Sequence, residues 1–143
     1  AVVERHKNTR HIGIGYLKGY GLKSGAVATS VAHDSHNIIC VGTNDEDMAF
    51  AVNRIARNRG GIVVVENGQM LAELPLEIAG IISGKPLREV NTLLEDAKKA
   101  AHALGVGTDI DPFMTLSFMS LPVIPTLRLT TRGVVDVNTQ QYV

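Results

Sequence analysis

The stretch "GIVVVENGQMLAEL", residues 61 to 74, constrains the fold more than any other part of the chain. A Val-rich run meets Asn67-Gly68, and a second apolar–polar run follows. Asn-Gly suits a type I′ turn, whose two central residues both take positive φ. The stretch therefore predicts a tight β-hairpin, and the rest of the chain must cover that apolar ribbon. The cover has to be aliphatic. Trp is absent, aromatic residues make up 4% of the chain, and 45% is hydrophobic. That content supports a packed core of Val, Ile, Leu, Ala and Met and excludes a disordered chain.

Two amphipathic helices supply the cover. In "TNDEDMAFAVNRIARNRGG", Asn44 is the expected N-cap, and Asp45, Glu46 and Asp47 suit the positive end of the helix dipole. Met48, Ala51, Val52 and Ile55 form the apolar stripe, Arg54, Arg57 and Arg59 suit the far end, and Gly60-Gly61 stops the helix. In "PLREVNTLLEDAKKAAHALG" (86 to 105), Pro86 suits the first turn. Leu87, Val90, Leu94, Ala97, Ala101 and Leu104 recur at spacings of 3 and 4 and trace one face. His102 falls near the C-terminal end, where a favourable dipole contact accounts for it. "PLEIAGIISG" (75 to 84) reads as a short helix ended by Gly84. Strands are expected over "AVATSVAH" (26 to 33), over "NIICVG" (37 to 42), and on either side of Arg132-Gly133 in "LRLTTRGVVDV". "DPFMTLSFMSLPVIPTL" (111 to 127), with Met114, Phe118 and Met119, reads as core-packing chain, and Pro122 and Pro125 deny it a long regular element. The expected class is mixed α/β: short strands and hairpins in a mixed sheet, packed by two or three helices, in one domain over residues 1–143.

Charge narrows the partners. Fourteen basic and 14 acidic residues cancel, which argues against a nucleic-acid partner. No apolar run reaches the roughly 18 to 20 residues that cross a bilayer. "AVVERHKNTRH" lacks the apolar centre of a signal peptide, and a piece of a longer chain would begin this way. The single cysteine, Cys40, is expected to pack as a small hydrophobe, and a cytosolic setting fits. "GIGYLKGYGLKSG" (13 to 25) carries five glycines, yet Lys18 and Ser24 stand where G-x-G-x-x-G needs its third glycine. A dinucleotide fingerprint is therefore rejected, and a turn-rich connection with short strands is expected.

The chemistry-bearing feature is "HDSHN": His33, Asp34, Ser35, His36 and Asn37, between two apolar segments. A zinc site needs three or four ligands in fixed geometry. His6, His11 or His102 would have to complete one, and no H-x-H, H-E-x-x-H or C-x-x-C pattern is present. Adjacent Asp34, Ser35 and His36 do not make a relay, and there is no G-x-S-x-G elbow. Two readings stay open. One is an internally bonded turn, which the residues alone favour. The other is a polar wall facing a substrate, with a titratable histidine, Asp34 as its orienter and Asn37 reading a donor–acceptor edge.

Three blocks together carry a resemblance: "GAVATSVAHDSHNIICVGTNDEDMAFAVNRI", "GGIVVVENGQMLAELPLEIAGIIS" and "PFMTLSFMSLPVIPTLRLT". The chain resembles the C-terminal domain of bacterial-type adenine deaminases, of the amidohydrolase superfamily, from "ERH" at 4 to 6 through "GVVDV" at 133 to 137. The resemblance implies a hydrolase of purine metabolism, converting adenine to hypoxanthine and ammonia in adenine catabolism. It places a divalent metal, manganese or iron, on an upstream barrel, where it would activate water for attack on the purine C6. The barrel's metal-binding histidines and aspartate have no counterpart in these residues, so no metal is expected on this chain and the chain alone is expected to be inactive. It also implies a cytoplasmic homo-oligomer, with adenine and the upstream barrel as partners. His33, Asp34, Ser35, His36 and Asn37 are then candidates for a wall at the barrel's active-site mouth. The competing expectations are a non-catalytic module for domain packing or oligomerisation, and an independent small-molecule binder.

Overall fold

A computed structural model describes all residues from Ala1 to Val143. In chain order the elements are β1 (Val2–Val3), β2 (Ile12–Gly13), β3 (Ala26–Thr29), β4 (Ile38–Gly42), α1 (Asp45–Arg57), β5 (Gly61–Glu66), β6 (Gln69–Pro75), α2 (Leu87–Ala103), α3 (Pro112–Met119), β7 (Leu127–Thr130), β8 (Gly133–Asp136) and β9 (Gln141–Tyr142). The mixed α/β class is as the sequence reads. The strands lie in two sheets rather than one, in the orders β2-β1-β4-β3-β5-β6 and β7-β8-β9, and every ladder is antiparallel.

The Asn67-Gly68 hairpin is the element most fully dictated by sequence. Asn67 and Gly68 take φ of 51° and 71°, the left-handed pair that a type I′ turn requires. Glu66 pairs with Gln69, so the loop is two residues long, and a bulge follows at Val64/Val65. The run Ile62–Val65 is buried on both faces. Ile62 and Val64 join a cluster with Val27, Ile39, Ala97, Ala101 and Leu116, while Val63 and Val65 join Ala26, Ala28, Cys40, Ala51 and Ile55. This alternation explains the unbroken apolar run, because a strand covered on both sides has no polar face to display. Helix α1 covers one face, and α2 and α3 cover the other.

Asn44 caps α1 as expected, its Oδ1 accepting from the Asp47 N–H at 2.8 Å. Asp47 does more than answer the dipole. Its side chain is buried and accepts from Asn44 Nδ2 (2.9 Å), Asn67 N–H (3.1 Å) and Gly68 N–H (2.7 Å). One carboxylate thus locks the start of α1 to the hairpin turn.

Several expectations change. Residues 75–84 are not a helix. Pro75 ends β6, Ala79 and Gly80 both have positive φ, and Ile78 bridges Ile82 across a tight turn. The segment 26–33 is strand only to Thr29. There Thr29 Oγ1 accepts from the Val31 N–H, and the Ser30 hydroxyl bonds Gly61 and Gly80, turning the chain out of the sheet. Leu87 leads the apolar stripe of α2 yet is 84% exposed, and the buried positions of the helix, Ala97 and Ala101, lie in its C-terminal half. Residues 112–119 form a helix that the sequence reading leaves out, with Asp111 as N-cap and Pro112 at its start. Phe113 and Leu116 pack in the core, whereas Met114 and Phe118 stay partly exposed. His102 is half-buried, its Nδ1 3.2 Å from the Val106 carbonyl.

Asp47→Ala should cost about 1–3 kcal/mol of unfolding free energy at pH 7, as expected for buried donors left without their charged acceptor. Hydrogen bonds from Asn44 and the Gly68 amide hold the Asp47 carboxyl below its usual range. A depressed folded pKa means the unfolded chain takes up the proton first. The Asp47 contribution is therefore present above about pH 4, the unfolded value for Asp, and is lost as pH falls through the lower folded value. Urea titrations of both proteins at pH 7 and pH 3 check this: the gap between them should shrink at pH 3.

Candidate functional site

The five residues from His33 to Asn37 form the connection from β3 to β4. Two buried strands fix its ends, so its polar side chains are pushed to one end of the sheet. The turn closes on itself through the His36 N–H and the Ala32 carbonyl at 2.6 Å, and His36 takes φ of 49°. The Ala32 N–H donates to His36 Nδ1 at 3.2 Å. That bond requires Nδ1 to be unprotonated, so neutral His36 carries its proton on Nε2. The internally bonded turn is therefore present, and it coexists with exposed functional groups.

Two other parts of the chain hold this turn, the segment after β1 and helix α3. Arg5 comes from just beyond β1. Its Nε donates to the His36 carbonyl at 2.5 Å, its Nη2 to the Ala79 carbonyl at 2.7 Å, and its backbone N–H to Asn37 Oδ1 at 3.3 Å. The guanidinium lies on Gly80, where an added Cβ would collide with Nη2. From α3, Ser117 Oγ accepts from the His33 N–H at 3.2 Å, and the Phe118 ring sits 5.8 Å from the His33 ring. His6 Nε2 lies 2.6 Å from the Ser35 carbonyl. None of these partners is visible from local pattern, because each is roughly 30 to 85 residues away in sequence.

The five candidates differ in availability. Asp34 and Ser35 are exposed, His33 and His36 are half-buried, and Asn37 is buried. The Asn37 amide is engaged, its Oδ1 by Arg5 and its Nδ2 by Ser35 Oγ at 3.1 Å. The rings of His33 and His36 meet edge-on at 5.4 Å. Asp34, Ser35 and Asn37 line an open cleft of about 280 Å³ with Ser120, Thr130 and Thr131. Small-molecule pockets span roughly 300–1,000 Å³, so this cleft offers one wall of a site rather than an enclosure. Partial burial, then the neighbouring His33 and Arg5, lowers the His36 pKa, against the opposing pull of Asp34. No three His, Cys, Asp or Glu side chains converge in a group that would hold a metal ion, so these residues do not fit the divalent metal that the resemblance implies. Cys40 is buried and free, and burial pushes its thiol up to about 12, far from a reactive thiolate. No helix is long and apolar enough to cross a membrane.

Residues 1–141 match the family described as the adenine deaminase C-terminal domain. The chain belongs to that family. Among curated relatives, the adenine deaminase of Nitratidesulfovibrio vulgaris (strain Hildenborough) is 54% identical over 143 residues, covering 99% of this chain and 25% of the relative. The adenine deaminase of Bacillus subtilis (strain 168) is 48% identical over 143 residues, covering 100% and 25%. Adenine deaminase 2 of Carboxydothermus hydrogenoformans is 52% identical over 139 residues, covering 97% and 24%. The chain thus spans about a quarter of the length of the curated relatives it matches.

In the domain, His36 should titrate below the ordinary histidine value of about 6.5 and show the Nε2–H tautomer by imidazole ¹⁵N shifts. The sign of the linked stability follows. The folded state binds fewer protons than the unfolded one, so the His36 contribution is complete above about pH 6.5 and fades as pH drops toward the lower folded value. A His36 pKa at or above 6.5 contradicts the lowering by burial, His33 and Arg5, and an Nδ1–H tautomer contradicts the Ala32-to-Nδ1 bond.

Proposed function

We propose that this chain is the C-terminal part of an adenine deaminase, a hydrolase that takes adenine and water to hypoxanthine and ammonia. The match over residues 1–141, in a chain a quarter of its relatives' length, carries this reading. In this reading the reacting centre, with its manganese or iron, lies on a barrel upstream of this chain, and no three side chains of this chain converge in a group that would hold a metal ion. The chain by itself is then inactive, and the complete enzyme is a cytoplasmic homo-oligomer of purine metabolism.

In this reading the turn from His33 to Asn37 is a wall at the mouth of the adenine site. Neutral His36 presents Nε2–H as a donor, and Asp34 presents an exposed carboxylate as an acceptor. An adenine edge offers both ring-nitrogen acceptors and an amino donor, so the pair is complementary to it. Asn37, Arg5 and Ser117 position the turn through their hydrogen bonds to it.

His33→Ala and His36→Ala in the full-length enzyme should each lower kcat/KM for adenine by about tenfold or more, a loss near 1.4 kcal/mol of transition-state binding. Near-wild-type values for both would sink the wall. A purely structural packing module makes a different forecast. Its variants would change assembly size on a sizing column and leave turnover per folded enzyme intact. Exposed Ile14, Tyr16 and Leu127 are the observation that favours such a module.

A further inference from the structure

A slot beside β1 has the shape of a missing strand segment. Strand β1 runs between β2 and β4, pairing Val2 with Gly13 on one side and with Ile39 on the other. It is only two residues long, whereas β4 continues to Gly42. Just before it, Ala1 and Cys40 exchange both backbone bonds, at 2.7 and 2.9 Å. Antiparallel ladders alternate, so the N–H and C=O of Gly42 point to the same edge as those of Cys40, one repeat beyond Ala1. No strand lies there.

The opposite rim matches. The register that pairs Val2 with Gly13 puts Gly15 across from the residue that would precede Ala1. The Gly15 N–H and C=O engage no other backbone group. Between the two rims lies an apolar groove of about 600 Å³, with Ala1 at its end and Ile14, Tyr16, Met119, Leu127 and Leu129 on its walls. Tyr16 is fully exposed and Ile14 is 72% exposed.

We propose that this groove is filled by the polypeptide immediately upstream of Ala1, which lengthens β1 into a strand paired with Val41–Gly42 on one side and with Gly15 on the other. The inference rests on the reading that a longer enzyme precedes this chain, as its quarter-length coverage of the relatives suggests. Alternation fixes the side chains as well. The residue directly before Ala1 lies opposite Val41, on the face that carries Val2 and Ile39, and meets Leu116 and Met119. It should be apolar. The next residue upstream lies opposite Gly42 and faces Met48. The apolar walls are then the seat of the chain's own upstream strand rather than a surface open to solvent.

The register is tested by cross-linking in the full-length protein. The residue directly before Ala1 and Val41 form a non-hydrogen-bonded pair, with Cα atoms about 4.5 Å apart in such pairs, within disulfide reach. Val41→Cys combined with cysteine at the position directly before Ala1 should give an intramolecular disulfide under mild oxidation. Moving that cysteine one residue further upstream should abolish it, because the side chain then points to the other face. A cross-link in the shifted register, or one that joins two copies, overturns the proposal. The unsubstituted full-length protein supplies a second readout that needs no folding of variants. The Gly42 and Gly15 amides should be protected from hydrogen exchange at least a hundredfold, and solvent-like exchange at both overturns the proposal. Failure here is separable from failure of the enzyme reading. An active adenine deaminase without the cross-link removes only the strand, whereas a protein with no segment before Ala1 removes both.

Discussion

Two-sided burial of the central strands is the constraint on which the rest of the structure depends. Every residue of β3 is buried, and β5 is buried from Gly61 through Val65. With both faces covered, the buried positions of the two strands carry no polar side chain except Thr29, at the end of β3, and the charged Glu66 stands only at the less buried end of β5. Polar function is therefore confined to strand ends and connections. The β3–β4 connection is one of these, and its position follows from the sheet rather than from any local preference. A short aliphatic core suffices for this arrangement, because small residues at Ala26, Ala28, Ala51, Ala97 and Ala101 let the helices approach the sheet closely.

A turn of polar residues at the end of a buried sheet is mobile unless something else holds it. Here the hold is distributed. Arg5 bonds two carbonyls from separate turns, at His36 and Ala79, and so ties the N-terminal segment to both. Its planar fork does this with one side chain, which a lysine's single ammonium would not reproduce. Ser117 and Ser120 of the α3 end bracket His33 through its N–H and C=O. These bonds leave the outward edges of Asp34 and His36 uncommitted while their backbone is fixed. That combination, fixed main chain and free side-chain edges, is what a positioned wall requires.

How much of this was legible follows from how local each signal is. The Asn67-Gly68 turn and the Asn44 cap are chemistries of two to four consecutive residues, and both could be read directly. Helix α3 was harder. It is apolar on nearly every side, with Phe113, Met114, Leu116, Phe118 and Met119, so no stripe marks a helical period. Its readable sign was Asp111-Pro112, a capping residue before a proline at the first turn. The segment 75–84 misled in the opposite sense. Its apolar spacing suits a helix, yet Ala79 adopts positive φ because the Ile78–Ile82 bridge and the Arg5 contact decide the turn. At the site, the density of "HDSHN" was plain, but its supports were not. Arg5 and Ser117 meet it only through the three-dimensional fold, and nothing near them in sequence points to the turn.

The junction with the preceding polypeptide and the candidate wall are joined through very few residues. Ala1 through Val3 lie in the ladder beside β4, and Arg5, two residues on, clamps the turn that follows β3. Val2 lines the polar cleft while Ala1 lines the apolar groove, so β1 separates the two. A strand lengthened upstream adds ladder bonds on both sides of β1, which lowers its freedom to slide or fray. Because Arg5 is continuous with that strand, seating the upstream chain also fixes where the guanidinium sits. With the proposed strand in place, the position of His36 and Asp34 would be referred to the polypeptide that enters the domain as well as to the domain's own core. That geometry would suit a wall meeting a site on another domain, as proposed above. Under both proposals the covalent link between the domains and the Arg5 clamp on the wall would lie on one short segment, with the clamp two residues past β1, so the wall would keep its place relative to the incoming chain.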